Sequence, residues 1–223
     1  MGDSSLREAL LQRHVALMGL VAHDVKNPIS AALANLAFVE QVGVADSDAR
    51  DAIADAVDAV KRVRQLVEDL VVTSRHEANV LKLHRTVQPL DPLVNFAVAA
   101  LVKDAELRRT GLDAHASTAT APVDGPTVRR ALELLVDCAL RWGKPGGRVT
   151  VSAVATGEGA VLSVAHSACV LGDHARATAF MSDHDAPPAT IGLSLYYAHC
   201  VARAHGGRLV LRSEPALFSM ELA

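Results

Sequence analysis

The sequence predicts two parts of different class: an N-terminal helical hairpin over residues 1–80 and an α/β-sandwich domain over residues 81–223. Three observations carry this. Up to about residue 80 the apolar positions keep helical spacing, with one short polar turn between two runs. Beyond it, helical runs mix with stretches in which apolar and polar residues alternate between turn signals. Those helices and strands lack strict β-α-β alternation, which favours one helical layer on one sheet.

The first run covers residues 4 to about 42. Leu10, Leu17, Val21, Val25, Ile29, Ala32, Leu36 and Val39 recur at steps of three, four and seven. Gly43-Val-Ala-Asp-Ser-Asp48 then reads as a turn ending in capping residues. Ile53, Val57, Val60, Val63, Val67 and Leu70 continue at steps of three and four. Two long amphipathic helices joined by a short turn make an αα-hairpin. A lone hairpin leaves its apolar stripe uncovered, and pairing two hairpins into a four-helix bundle covers it. A homodimer is therefore expected.

Pro89 and Pro92 mark the boundary, and residues 95–107 read as a helix. Leu112–Ser117 is a strand candidate, and the turn Val123-Asp-Gly-Pro126 opens a helix over 127–142. Alternation on both sides of Gly157-Glu158-Gly159 is a hairpin signature. Residues 171–190 are polar and read as a loop. A helix over 191–205 stops at Gly206-Gly207. Residues 208–223 close the domain as a pair of strands. Trp142, the only tryptophan, is expected to pack behind the 127–142 helix.

Composition narrows the function classes. A chain of 223 residues with 22 Lys+Arg against 25 Asp+Glu is near neutral, leaving no electrostatic footprint for nucleic acid or an anionic membrane. No apolar stretch approaches the ~18 residues a bilayer span needs, and the first residues carry charge where a signal peptide needs an apolar run. The three cysteines, Cys138, Cys169 and Cys200, are widely spaced and read as free core thiols in a reducing compartment. The expectation is a soluble cytoplasmic protein. Asp183-His184-Asp185 with His174 is read as a chance cluster in a chain with ten histidines, so no metal site is expected.

One histidine stands out. At 100° per residue, His23 falls about 200° from Val21, opposite the apolar stripe. Lys26, Asn27 and Ser30 share that face, so a cation and an amide stand within a turn of the imidazole. Such a pair can hold phosphoryl oxygens through charge-assisted hydrogen bonds. Asp24 can accept the ring's second N–H and raise the nucleophilicity of the free nitrogen.

The run Leu20-Val-Ala-His-Asp-Val-Lys-Asn-Pro-Ile29 closely resembles the phosphoacceptor box of sensor histidine kinases, with histidine, acid, amide and proline at the family's offsets. It also lies on the first helix of a hairpin, as in that family. The resemblance implies that His23 is phosphorylated on a ring nitrogen and exchanges the group with a receiver aspartate. Asp24 becomes its acid/base neighbour, and Asn27 the polar residue that positions water or phosphate.

Residues 86–223 resemble the same family's ATP-binding domain, the α/β sandwich shared with gyrase-type ATPases. Asp124–Ala139 is similar to the segment entering the asparagine box, and Gly192-Leu-Ser-Leu195 to the last glycine box. Glu133 and Asp137 stand where the resemblance implies two asparagines for Mg²⁺ and phosphate. His166, Ala168 and Val170 stand at the adenine-recognising D-x-G-x-G, which replaces an acceptor and puts side chains at both glycine positions. Gly192 and Ser194 hold the places of the last box's two glycines, so one glycine is kept.

These departures make the nucleotide pocket degenerate. The expected function is that of a dimeric histidine phosphotransferase in a phosphorelay, moving a phosphoryl group between His23 and receiver aspartates without ATP. Mg²⁺ would come with the receiver domain, so the chain needs no cofactor of its own. An upstream hybrid histidine kinase is a further expected partner. With only 22 residues ahead of His23, no sensor segment is expected. The alternatives are a true histidine kinase with an atypical pocket and a non-catalytic receiver-docking module.

Overall fold

The structure is a computed structural model, and it describes residues 21, 24–25, 27–39, 47–77, 79, 81–116, 119–157, 159–169, 188–213 and 216–223. Two compact units divide between Ser74 and Arg75.

The first unit is the helical hairpin. Helix α1 is helical at 21, 24–25 and 27–39 and runs on through the buried Pro28. Helix α2 spans Ser47–Glu77. The two are joined by alanines rather than by the larger apolar residues: Ala32, Ala56 and Ala59 form one buried cluster. Small side chains let the backbones approach closely, and helix-favouring alanine costs neither helix in propensity. The larger members of the expected stripe stay uncovered in the single chain, with Ile29 at 42%, Leu36 at 49%, Val57 at 47% and Val60 at 61% exposure.

The second unit opens with β1 (Thr86–Pro89), followed by α3 (Asp91–Ala100) and α4 (Val102–Leu107). The expected single helix over 95–107 is broken at Leu101, whose φ of −118° leaves the helical range. Next come β2 (Gly111–Ala116), β3 (Thr120–Val123) and α5 (Gly125–Trp142). The expected hairpin is present as β4 (Arg148–Thr156) and β5 (Gly159–His166). Helix α6 (Pro188–Ala204), β6 (Arg208–Ser213) and β7 (Ala216–Leu222) complete the described elements.

The main sheet has the order β2-β4-β5-β7-β6, with β2 and β4 parallel and the remaining pairs antiparallel. Strands β1 and β3 form a separate antiparallel pair that the alternation pattern does not announce. Helices α3 and α5 pack on the sheet. Its covered face follows the two-residue period: Val149, Val151 and Ala153 on β4, then Ala160, Leu162, Val164 and His166 on β5, are all buried. Leu90, Leu132, Leu135, Leu140 and Met220 fill the remaining core.

The start of α5 is fixed by one residue with three partners. Asp124 caps the helix, accepting from the Thr127 N–H at 3.2 Å. Its second oxygen accepts from the His84 N–H at 2.7 Å. Its own N–H donates to Nε2 of the fully buried His205 at 3.1 Å, while His205 Nδ1 lies 2.8 Å from the Val201 carbonyl. That pairing fixes the tautomer: Nδ1 carries the proton and Nε2 accepts. His205 is thus a neutral structural link from the end of α6 to the cap of α5.

Candidate functional site

Of the segment that resembles a phosphoacceptor box, residues 21, 24–25 and 27–29 are described and lie on α1. His23 and Lys26 fall outside the described residues. Of their neighbours, Asp24 is half-buried and helical, and Asn27 is exposed one turn further on. Pro28 is buried immediately after it. The helical geometry of 24–25 and 27–39 is what the 3.6-residue reading of this face requires.

In the second unit, the residues singled out for nucleotide handling fall into three places. Glu133 and Asp137 lie on α5, and both are engaged by arginines of the same helix. Glu133 pairs with Arg130 at 3.2 Å and Arg129 at 3.6 Å. Asp137 pairs with Arg141 at 2.7 Å. Burial raises the Asp137 carboxyl above its ordinary range; Arg141 opposes the shift, and Asp104 and Arg108 of the α4 end also act on it. The next residue, Cys138, is buried, and its sulfur lies 3.9 Å from Arg141 Nη2. Burial pushes the Cys138 thiol up to about 11, which keeps it protonated and unreactive at neutral pH.

Gly192 is the kept glycine. Its φ of 71° and ψ of 157° form a kink within α6, in a region that costs a side chain strain. The regular helix that carries Ser194 follows it.

His166 closes β5 on the core face and is 1% exposed. Its Nδ1 accepts from the Ala168 N–H at 3.0 Å, so Nε2 carries the proton. Nε2 is buried without a hydrogen-bond partner among the described residues. The ring fills the space beside two glycines. A Cβ built on Gly143 would sit 1.9 Å from His166 Nε2, and one on Gly147 would sit 2.4 Å from Cε1. Gly143 has φ −74° and ψ 155°, open to any residue, so its glycine is required by the imidazole rather than by the backbone. An N–H donor thus stands where the resemblance implies a carboxylate acceptor. Ala168 is described; Val170 and the loop with His174, Asp183, His184 and Asp185 lie outside the described residues.

His166 and His205 share one consequence. Burial depresses both, with backbone hydrogen bonds opposing it. A histidine depressed in the folded state is neutral there while its unfolded counterpart takes a proton below about pH 6.5. Stability is then complete above that pH and is lost as pH falls toward the folded-state values, at up to about 1.4 kcal/mol per pH unit for each histidine. Urea unfolding between pH 7.5 and 5.5 is expected to show that loss, and His166→Leu to reduce the slope by about one proton. A midpoint independent of pH over that range would contradict it.

A group that the sequence does not announce lies at the junction of helix ends. His76 and Glu77, in the last turn of α2, meet Cys200 of α6. Trp142, at the end of α5, is 40% exposed, with its ring tilted against Phe218 at 5.8 Å.

The fold defines a class: a helical hairpin followed by an α/β sheet domain. Residues 15–79 match the family described as His Kinase A (phospho-acceptor) domain. The chain is 22% identical over 227 residues to the adaptive-response sensory kinase SasA of Synechococcus elongatus, covering 95% of this chain and 58% of that protein. It thus spans a little over half the length of that curated relative. Among solved structures, the histidine kinase AdeS of Acinetobacter baumannii superposes with a TM-score of 0.68 at 17% identity, over 90% of this chain and 97% of that one. Histidine kinase ThkA in its complex with the response regulator TrrA superposes with a TM-score of 0.58 at 15% identity, over 92% of this chain and 60% of that one. The chain has a histidine-kinase-like core: a helical phosphoacceptor hairpin joined to a sheet domain of the kind found in histidine kinase catalytic domains.

Proposed function

We propose that the chain is a phosphohistidine-carrying protein of two-component signalling, in which His23 exchanges a phosphoryl group with the aspartate of response-regulator receiver domains. The observation that carries this is the His23-Asp-Val-Lys-Asn-Pro28 segment within the matched phosphoacceptor region, whose described residues 24–25 and 27–28 are helical. In the forward step, the lone pair of a neutral His23 ring nitrogen attacks the phosphorus of a receiver aspartyl phosphate in line. The N–P bond forms, the P–O bond to the aspartate breaks, and its electron pair leaves with the carboxylate. Lys26 and Asn27 steady the equatorial oxygens. Asp24 accepts the hydrogen bond of the ring's other N–H, which stabilises the charge developing on the imidazole.

The source of the phosphoryl group is, in this reading, another protein. Support comes from the donor at His166 in place of an acceptor and from Glu133 and Asp137 already paired with arginines. These described residues do not fit a magnesium nucleotide, and no step is routed through one. A second reading, an ATP-dependent histidine kinase with an atypical pocket, is favoured by the relatives, which are named as sensory and histidine kinases. Incubation with phosphorylated receiver domains is expected to leave acid-labile, alkali-stable phosphate on the chain. No transfer from any of a panel of receivers would contradict the proposal.

The uncovered stripe of α1 and α2 supports a homodimer closed as a four-helix bundle. Leu33 at 62% and Val67 at 48% exposure extend it along both helices. Contiguous apolar surface of this kind marks an interaction face. Light scattering at micromolar concentration is expected to give the mass of two chains, and charge at Leu33 and Val60 to split them. A monomeric wild-type chain would remove the bundle.

A further inference from the structure

We propose that His76, Glu77 and Cys200 form a binding site for a transition-metal dication of the zinc type. The three offer an imidazole nitrogen, a carboxylate oxygen and a sulfur, and these ligand atoms all lie within 4.8 Å of one another. Zinc holds such ligands at about 2.0–2.3 Å, so two of them on a tetrahedral ion stand roughly 3.3–3.8 Å apart.

The donor set selects the ion. A sulfur and an imidazole nitrogen are poor ligands for magnesium or calcium and good ones for zinc, cobalt or nickel. Thiolate and carboxylate together carry two negative charges, which a dication cancels while the imidazole binds neutral. Cys200 is fully buried and His76 and Glu77 are half-buried, so the ion would have a closed inner side and an outer side reached by solvent.

The neighbouring residues are arranged to hold the site. Tyr196 precedes Cys200 by four residues, so its ring and the thiol share one face of α6. The Tyr196 hydroxyl donates to the Glu77 carboxylate. A ligating carboxylate oriented by an outer hydrogen bond is the usual support of a metal site. The His199 ring lies parallel to the Tyr196 ring within 18°, with centroids 6.4 Å apart.

The test is a cobalt(II) titration of the full chain, reduced and stripped of metal. The expected result is one equivalent bound, with a sulfur-to-cobalt charge-transfer band in the near ultraviolet that zinc abolishes. Cys200→Ser should lose the band with an unchanged circular-dichroism spectrum, and His76→Gln should weaken binding by at least about tenfold. Cobalt bound without the thiolate band, a band that survives Cys200→Ser, or no binding up to millimolar cobalt would each overturn the proposal. If Cys200→Ser does not fold, His76→Gln and Glu77→Gln decide it: wild-type affinity in both overturns it.

Discussion

His23→Ala is expected to abolish phosphoryl acceptance completely while leaving the dimer and the melting curve in place. The loss is total because no other group near it on the helix can form the N–P bond: Lys26 is a cation at neutral pH and Asn27 has no nucleophilic lone pair. The fold survives because the helical period puts His23 opposite the apolar stripe, and alanine is the residue best suited to a helix. A surface change of that kind stays within about 0.5 kcal/mol. The comparison that matters is phosphate transfer from a receiver against the same protein's light scattering and circular dichroism. If the variant still accepts phosphate, another side chain is the acceptor. If the wild type supports its partners' activity and the alanine variant does so equally well, the chain is a docking module.

Gly143→Ala is expected to produce the second largest effect, on stability. A methyl group 1.9 Å from His166 Nε2 cannot be accommodated without moving the imidazole or the end of α5. Overpacking of this kind costs typically 1–3 kcal/mol. His166→Ala alone also destabilises, because it empties a buried volume and leaves the Ala168 N–H without its acceptor. The double variant removes the clash, so its destabilisation should fall short of the sum of the two by about 0.5–3 kcal/mol. Urea midpoints of the four proteins measure this. Strict additivity would mean that the imidazole does not occupy the space beside Gly143.

The same residue shows how far the sequence could be read. The alternation through β5 puts His166 in register with Ala160, Leu162 and Val164, so its place on the core face was there in the pattern. What the pattern does not carry is the pair of glycines against its ring, which come from the α5–β4 connection and meet it only in three dimensions. The hairpin, α2, α5 and the β4–β5 turn were legible because strong periodicity and explicit turn residues agreed there. The break at Leu101 was not, since Ala, Leu and Val on both sides continue a helical pattern and the backbone departs for tertiary reasons. Strands β1 and β3, four residues each, are too short to show alternation.

Carboxylates at 133 and 137 look like ligands in one dimension, but arginines at 129, 130 and 141 reach them within one helical turn. The His76–Glu77–Cys200 group joins residues more than a hundred positions apart, and spacing rules for metal ligands work only over short separations. The alanine seam of the hairpin was partly legible: Ala32 belongs to the sequence's own stripe, whereas Ala56 and Ala59 sit beside it.

The proposed function has phosphate reach His23 from another protein, which requires that the sheet domain hold no nucleotide. Titration calorimetry with Mg-ATP tests this most directly, since binding needs neither an activating signal nor a known partner. The account predicts no saturable heat up to several millimolar nucleotide. A saturable isotherm at or below the millimolar range would contradict it, and the chain would then be read as an ATP-dependent histidine kinase.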